Sequence, residues 1–379
     1  MITQRQKIIF ISGTRADFGK LKSLMLRLQA DESFEVHVFV TGMHMLSKYG
    51  YTCTEVEASG FDNIYKYINQ SGVDSMDQIL AKTIAGLSDY VKEIVPNLII
   101  VHGDRVEALA GASVGALNNI LVGHIEGGEV SGTIDELIRH AVTKLSHIHF
   151  VANKLAKKRI SQLGELQETV HIIGSPDIDV MNSDKLPDIV EVKKRYTFEF
   201  DEYSILMFHP VTSELKKLKN DIKLLVDKVI ESKLNFIVIY PNNDHGTNII
   251  LEEYARFDNH ANIKVYPSMR FEFFLSLLKQ ASLIIGNSSA GVREAPHFGV
   301  PAINLGSRQK NRVKCLSVLD TEIADLDIAK SIFDSQSVER KSESIFGYGN
   351  SAELFHKILK TPEFWLQNTQ KHFVDRELK

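Results

Sequence analysis

The segment GNSSAGVREAPHFGVPAINLGSRQKNR, residues 286–312, carries more information about this chain than any other. The apolar run at residues 282–285 before it suits a buried strand. Small polar residues follow (Asn287, Ser288, Ser289, Ala290, Gly291), then a helical pattern that ends near Gly299. A strand that turns through small residues into a helix leaves backbone N–H groups pointing outward, which makes an anion site. Ser288 and Ser289 add hydroxyl donors. Glu294 stands about a turn further on, where it can accept from a diol, and Arg308 and Arg312 follow the next strand. The pattern fits a nucleotide held by its diphosphate. A Ser-capped helix followed by surface arginines fits the same string, so both readings stand at this point.

Outward from this segment, short apolar strands alternate with helical stretches. Strands are expected at residues 7–12, 35–41, 97–102, 120–124, 147–151 and 170–174 in the first half, with helices at 18–29, 75–94, 105–117, 134–145 and 154–163. The pattern breaks at residues 175–201, which carry Pro176, Pro187 and many charges and read as a linker with a peripheral helix. It restarts with strands at 204–208, 235–240, 263–266, 283–286 and 302–305, and helices at 219–232, 271–280 and 292–298. Alternation of this kind implies crossover units and parallel sheets. The expected architecture is α/β: two doubly wound, Rossmann-like domains, residues 1–175 and 190–360, facing a cleft. Ligands in such folds sit beyond the carboxyl ends of the strands.

Composition narrows the function classes. The 379 residues suffice for two domains, and 44% hydrophobic with 24% charged residues is ordinary for a globular protein. A net charge of −4 gives no basic field for nucleic acid. The two cysteines, Cys53 and Cys315, are too few for a disulfide framework and fit a reducing compartment. No signal peptide and no membrane-spanning run is evident, so a cytoplasmic location is expected.

Five polar strings fall at strand ends. The first, residues 13–20 (GTRADFGK), resembles a phosphate loop and offers Arg15 and Lys20 to phosphate, but it is neither a Walker loop nor a three-glycine dinucleotide fingerprint. A tightly bound nicotinamide cofactor is therefore not expected, and no other cofactor is. The second is His102-Gly103-Asp104-Arg105; the third is residues 124–129, HIEGGE. The fourth opens a helix with Asp135 and Glu136 and carries Arg139 and His140. Asp104 could cap the helix after it, and Asp135 could merely favour a helix start. Three carboxylates, Asp104, Glu126 and Asp135, on one sheet edge point instead to acid–base chemistry. The fifth string is His209-Pro210-Val211-Thr212, where the proline holds His209 extended at a strand end. No zinc-type spacing of His, Cys and Asp is present, and no metal is expected; a carboxylate pair gripping magnesium beside a diphosphate stays open on spacing.

Together these strings resemble the UDP-N-acetylglucosamine 2-epimerase family, and more specifically its hydrolysing branch, which supplies N-acetylmannosamine for sialic acid synthesis. The resemblance rests on GTRADFGKL (13–21), HGDR (102–105), HIEGGEVSGTIDELIRHAVTKL (124–145), FHPVT (208–212) and GNSSAGVRE (286–294), in that order. It implies a two-domain GT-B arrangement whose C-terminal helix, expected within residues 361–379, returns to the first domain. It implies Asp104, Glu126 and Asp135 as catalytic carboxylates and His209 as a further active-site residue. It implies a UDP-sugar contacted by Arg15, Arg105, Asn242, Ser288, Ser289, Glu294 and Arg308, with Phe274 as a uracil-stacking ring; Lys20 of the first loop and Gly291 of the 286–294 turn are expected among the substrate contacts as well. A homodimer or homotetramer is expected.

One departure bears on the branch. The non-hydrolysing branch reads GTRPE in its first loop and places a glutamine of its allosteric site before the histidine matching His44; here the loop is GTRAD and the residue is Met43. A close relative in the same branch acts on UDP-N,N'-diacetylbacillosamine, on the way to legionaminic acid, and the sequence does not separate the two sugars. The competing readings are a non-hydrolysing epimerase, a GT-B glycosyltransferase and a non-catalytic nucleotide-sugar binder.

Overall fold

A computed structural model describes residues 5–131, 134–310, 312, 315–328, 330–331 and 340–375. The chain forms two compact units: Met1–Glu129, Asp135–Asn182 and Phe346–Lys379 make the first, Val130–Ile134 and Ser183–Ile345 the second.

The first unit is built on a seven-stranded sheet: β1 (Gln6–Ser12), β2 (Phe34–Val40), β3 (Asn63–Lys66), β4 (Leu98–His102), β5 (Leu121–Ile125), β6 (Ile148–Val151) and β7 (Val170–Ile172), in the order β3-β2-β1-β4-β5-β6-β7. Neighbouring strands run parallel throughout. The chain order reverses between β1 and β4, so the loops after these two strands open a crevice at the sheet's carboxyl edge. Helix Arg15–Gln29 starts where Thr14 accepts a hydrogen bond from the Asp17 N–H, and it buries Leu21, Leu24, Met25 and Leu28 at helical spacing against the sheet. Each such burial is worth roughly 1.5–3 kcal/mol.

The second unit repeats the plan with six parallel strands: β8 (Ser204–Met207), β9 (Phe236–Ile239), β10 (Ile263–Tyr266), β11 (Leu283–Gly286), β12 (Ala302–Leu305) and β13 (Val318–Thr321), ordered β10-β9-β8-β11-β12-β13. Its reversal point lies between β8 and β11. Gly286 ends β11 at φ +137°, where a Cβ would stand 1.9 Å from the Met207 carbonyl oxygen; no other residue fits there.

Four expectations need revision. Strands β3 and β13 fall where none was expected; both are short edge strands with partly exposed side chains, so they lack an apolar signal. The helix expected over 292–298 is a 3-10 turn at Ser289–Gly291 followed by a short helix, Glu294–His297. Pro296 can stand only in a first turn, which delays the helix. The stretch from 175 to 201 holds two helices, Pro176–Met181 and Ile189–Tyr196, rather than one peripheral helix with a linker. The C-terminal return to the first unit begins at Phe346, and among the described residues its helix is Ser351–Leu359, ahead of the expected 361–379. Beyond it, Pro362–Leu366 forms a 3-10 turn. Phe355 of that helix packs edge-on against Phe150 at 4.7 Å, inside the core of the first unit.

Candidate active site

In the first unit, the polar strings meet at the β1/β4 crevice. His102 is the last residue of β4, and its ring lies between two carboxylates. Nδ1 stands 3.4 Å from Asp17 Oδ1, and Nε2 stands 3.2 Å from Glu126 Oε2. The second contact is an ion pair rather than an aligned hydrogen bond. Burial works against charge on His102, yet the Glu126 charge and the Asp17 hydrogen bond outweigh it and raise the imidazole to about 9. Glu126 follows β5 with φ +62°, a left-handed conformation that costs on the order of 1 kcal/mol or more for a side-chain-bearing residue. Its other oxygen accepts from the Ser175 hydroxyl, which follows β7. The Glu126 side chain is 6% exposed.

Asp104 sits two residues past His102. Its carboxylate is paired with the Arg139 guanidinium, which is almost wholly buried. Arg139 lies on helix Ile134–Leu145, one turn after Asp135 and on the same face. Asp104, Glu126 and Asp135 thus come from three connections to one edge of one sheet. Asp104 does not cap the helix that follows: that helix is entered at Arg105 without a side-chain cap, and Arg105 Nε lies 3.4 Å from Glu107. His124 donates from Nε2 to the Gly103 carbonyl at 2.8 Å, and burial pushes it down to about 3, so it pins the His102–Asp104 loop as a neutral ring.

The cations of the first loop are engaged within the unit. Arg15 pairs with Glu55, and Lys20 Nζ lies 3.2 Å from Asp177, both partners of the latter pair being buried.

In the second unit, Asn287 organises the β8/β11 crevice. The His209 N–H donates to Asn287 Oδ1 at 2.7 Å, and Asn287 Nδ2 returns a bond to the His209 carbonyl at 2.8 Å. The Asn242 N–H donates to His209 Nδ1 at 3.0 Å, which fixes a neutral ring with its proton on Nε2. Arg308 Nη1 and Gln309 Nε2 both donate to the Asn287 carbonyl at 3.2 Å. Ser288 caps the turn Ser289–Gly291 by accepting from the Ala290 N–H at 3.4 Å. Glu294 is buried and opens the next helix; Phe274 is buried within helix Phe271–Gln280. So short a helix has little macrodipole, and positive potential here must come from the turn's N–H groups and from Arg308.

Sequence reasoning missed Ser175 and His102 as partners of Glu126, Arg139 as the partner of Asp104, and Asp17 as the second partner of His102. His102, Asp17 and Arg139 lay inside quoted strings, but nothing local says which group each meets. Ser175 reaches Glu126 from 49 positions away, a contact only the strand order β5-β6-β7 creates.

A parallel α/β protein with polar loops at two reversal points is the class this geometry defines. The family model for UDP-N-acetylglucosamine 2-epimerase matches residues 26–360, and the chain belongs to that family. It is 45% identical over 377 residues to a UDP-N-acetylglucosamine 2-epimerase of Neisseria meningitidis serogroup B, covering 98% of this chain and all of the relative. It is 32% identical over 362 residues to a UDP-N,N'-diacetylbacillosamine 2-epimerase (hydrolyzing) of Legionella pneumophila, covering 94% and 96% of the two chains. In fold it is similar to the crystal structure of UDP-GlcNAc 2-epimerase from Neisseria meningitidis bound to UDP-GlcNAc, with a TM-score of 0.77, 19% identity and coverage of 93% and 99%. Among the described residues, no helix is long and apolar enough to cross a membrane.

Proposed function

We propose that the chain is a hydrolysing UDP-sugar 2-epimerase that converts UDP-N-acetylglucosamine to UDP and N-acetylmannosamine. The observation that carries the epimerase reading is the family match over nearly the whole chain. The hydrolysing reading is supported by the Legionella pneumophila relative whose name states it, and by the GTRAD loop and Met43.

The reaction runs in two steps. A carboxylate of the Asp104, Glu126 and Asp135 set takes the C2 proton while the C1–O bond to UDP breaks, leaving a C1=C2 double bond. Charge develops on the departing diphosphate, and the N–H groups after Ser288, with Arg308 and Arg15, offset it. Water then adds its hydroxyl to C1 of the 2-acetamidoglucal, and a proton returns to the opposite face of C2. Glu294 holds the ribose diol, His209 stands beside the leaving group with its Nε2–H, and Phe274 meets the uracil. Arg105, Asn242, Ser289 and Gly291 complete the contacts to the UDP-sugar.

A second reading is favoured by the Neisseria meningitidis relative, whose name says epimerase and nothing of hydrolysis. A third keeps the reaction and changes the sugar to UDP-N,N'-diacetylbacillosamine. Incubation with each UDP-sugar and proton NMR of the products separates them. Free 2-epimeric sugar with UDP is the expected result; a UDP-linked epimer as sole product would establish the non-hydrolysing branch.

A further inference from the structure

We propose that His102, held between Asp17 and Glu126, is a positioning residue whose imidazolium keeps the Glu126 carboxylate ionised and in its pose for proton transfer. The proposal rests on the reading of Glu126 as a member of the acid–base set.

The geometry demands a charged ring. Both ring nitrogens face carboxylate oxygens, Asp17 Oδ1 at 3.4 Å and Glu126 Oε2 at 3.2 Å. Only the imidazolium carries donors on both nitrogens; a neutral ring would set a lone pair against one carboxylate. The assembly draws on four connections: Asp17 from the first turn of helix Arg15–Gln29, His102 from the end of β4, Glu126 after β5 and Ser175 after β7. With Ser175 on one oxygen and His102 beside the other, Glu126 is held at φ +62°. The surrounding charges are consistent. Asp17 is buried but kept ionised by the hydrogen bond from His102 and its charge, with Arg105 adding to it. His124, nearby, is neutral through burial and adds no competing cation. An imidazolium beside a carboxylate favours the carboxylate's ionised form, which a proton acceptor must have before the substrate arrives.

The same pair also accounts for Asp17, which otherwise has no role. It anchors the face of His102 turned away from Glu126 and accepts from the Gly13 N–H at 3.3 Å, so the ring is tied to the first loop.

The test is a set of kcat/KM pH profiles for UDP release from UDP-N-acetylglucosamine or its diacetamido-trideoxy analogue, whichever the unmodified protein turns over faster. The variants are His102→Gln, Asp17→Asn, Glu126→Gln and the double variant His102→Gln/Glu126→Gln. In His102→Gln the acidic limb moves to higher pH by about one unit or more, because Glu126 loses its neighbouring cation. In Asp17→Asn the basic limb moves to lower pH, because His102 loses one of the two anions that hold its proton. UDP affinity, by calorimetry, stays within about twofold in both. His102→Gln adds nothing to the loss already caused by Glu126→Gln. If both limbs stay in place, or if the double variant shows the full product of the two losses, His102 does not act through Glu126. If Glu126→Gln alone keeps full turnover, the acid–base reading falls and the proposal with it. Should His102→Gln fail to fold, the Asp17→Asn basic limb decides alone.

Discussion

His209 and Asn287 exchange two hydrogen bonds across the β8/β11 reversal, backbone N–H to side-chain oxygen and side-chain nitrogen to backbone carbonyl. The strand ends that carry them are adjacent because Gly286 pairs with Met207 in register. Both residues are buried. Replacing Asn287 with Ala leaves the His209 N–H and C=O without these partners, and each buried orphan costs about 1–3 kcal/mol. The urea midpoint of Asn287→Ala should therefore drop by the equivalent of about 2–6 kcal/mol, with turnover at least tenfold lower because His209 loses its pose. An unchanged midpoint would mean that the reciprocal pair does not hold the loop.

Asn at Asp104 or Asp135, or Gln at Glu126, should lower turnover by about two to four orders of magnitude, the usual scale of one acid–base contribution. UDP affinity should hardly change. Asp104→Asn carries an additional signature: it strips the counter-charge from Arg139, which is 1% exposed, so its melting temperature should also fall. Turnover by UDP release, affinity by calorimetry and melting by circular dichroism give the three readouts. Near-normal turnover in two of the three variants would make the constellation structural.

How much of this was legible in the sequence depends on the range of each interaction. β10, β11 and β12 were readable to the residue: β11 and β12 are buried throughout, and β10 sets Ile263 and Val265 at alternate positions. β3 and β13 were not, since an edge strand needs no continuous apolar face. The candidate site divides in the same way. Asp104, Glu126 and Asp135 were visible because each ends a strand or opens a helix. Their partners were not. That Asp104 meets Arg139, 35 positions on, is decided by where helix Ile134–Leu145 sits relative to the loop after β4, and no local pattern encodes that. Lys20 illustrates the converse: the loop motif offers it to phosphate, while the fold sets it against Asp177.

Stability should be greatest near neutral pH and fall on both sides. His44 and His124 are held neutral, chiefly by burial, at about 4 and about 3 against an ordinary 6.5. Between those values and 6.5 the unfolded chain binds protons that the folded chain does not, so stability is full above about 6.5 and declines as pH falls through this window. His102 runs the other way. Its folded value of about 9 lies above 6.5, so its contribution is complete below about 6.5 and is lost as pH rises through about 9. Urea midpoints at pH 5, 7 and 9.5 should peak at 7. His44→Asn should flatten the acidic side and His102→Gln the basic side. A midpoint that rises steadily from pH 5 to 9.5 would contradict the assignment of His102.

Deuterium incorporation decides the reaction itself. In elimination the C2 proton leaves with the carboxylate base and exchanges with solvent before a proton returns from the other face. Run in D₂O, the reaction should therefore yield UDP and a free 2-epimeric sugar carrying deuterium at C2, with no NAD or metal added. Glycosidic hydrolysis by direct attack of water at C1 breaks only the C1–O bond, leaving C2 protonated and the gluco configuration intact. A non-hydrolysing epimerase also exchanges C2, but it returns the diphosphate to C1, so the label appears in UDP-linked sugar. Proton NMR distinguishes these outcomes by the loss or persistence of the C2 proton signal and by whether the anomeric proton couples to phosphorus. An undeuterated gluco product would end the elimination mechanism. A deuterated UDP-sugar with no free sugar would keep the elimination and the carboxylate set while moving the chain to the non-hydrolysing branch.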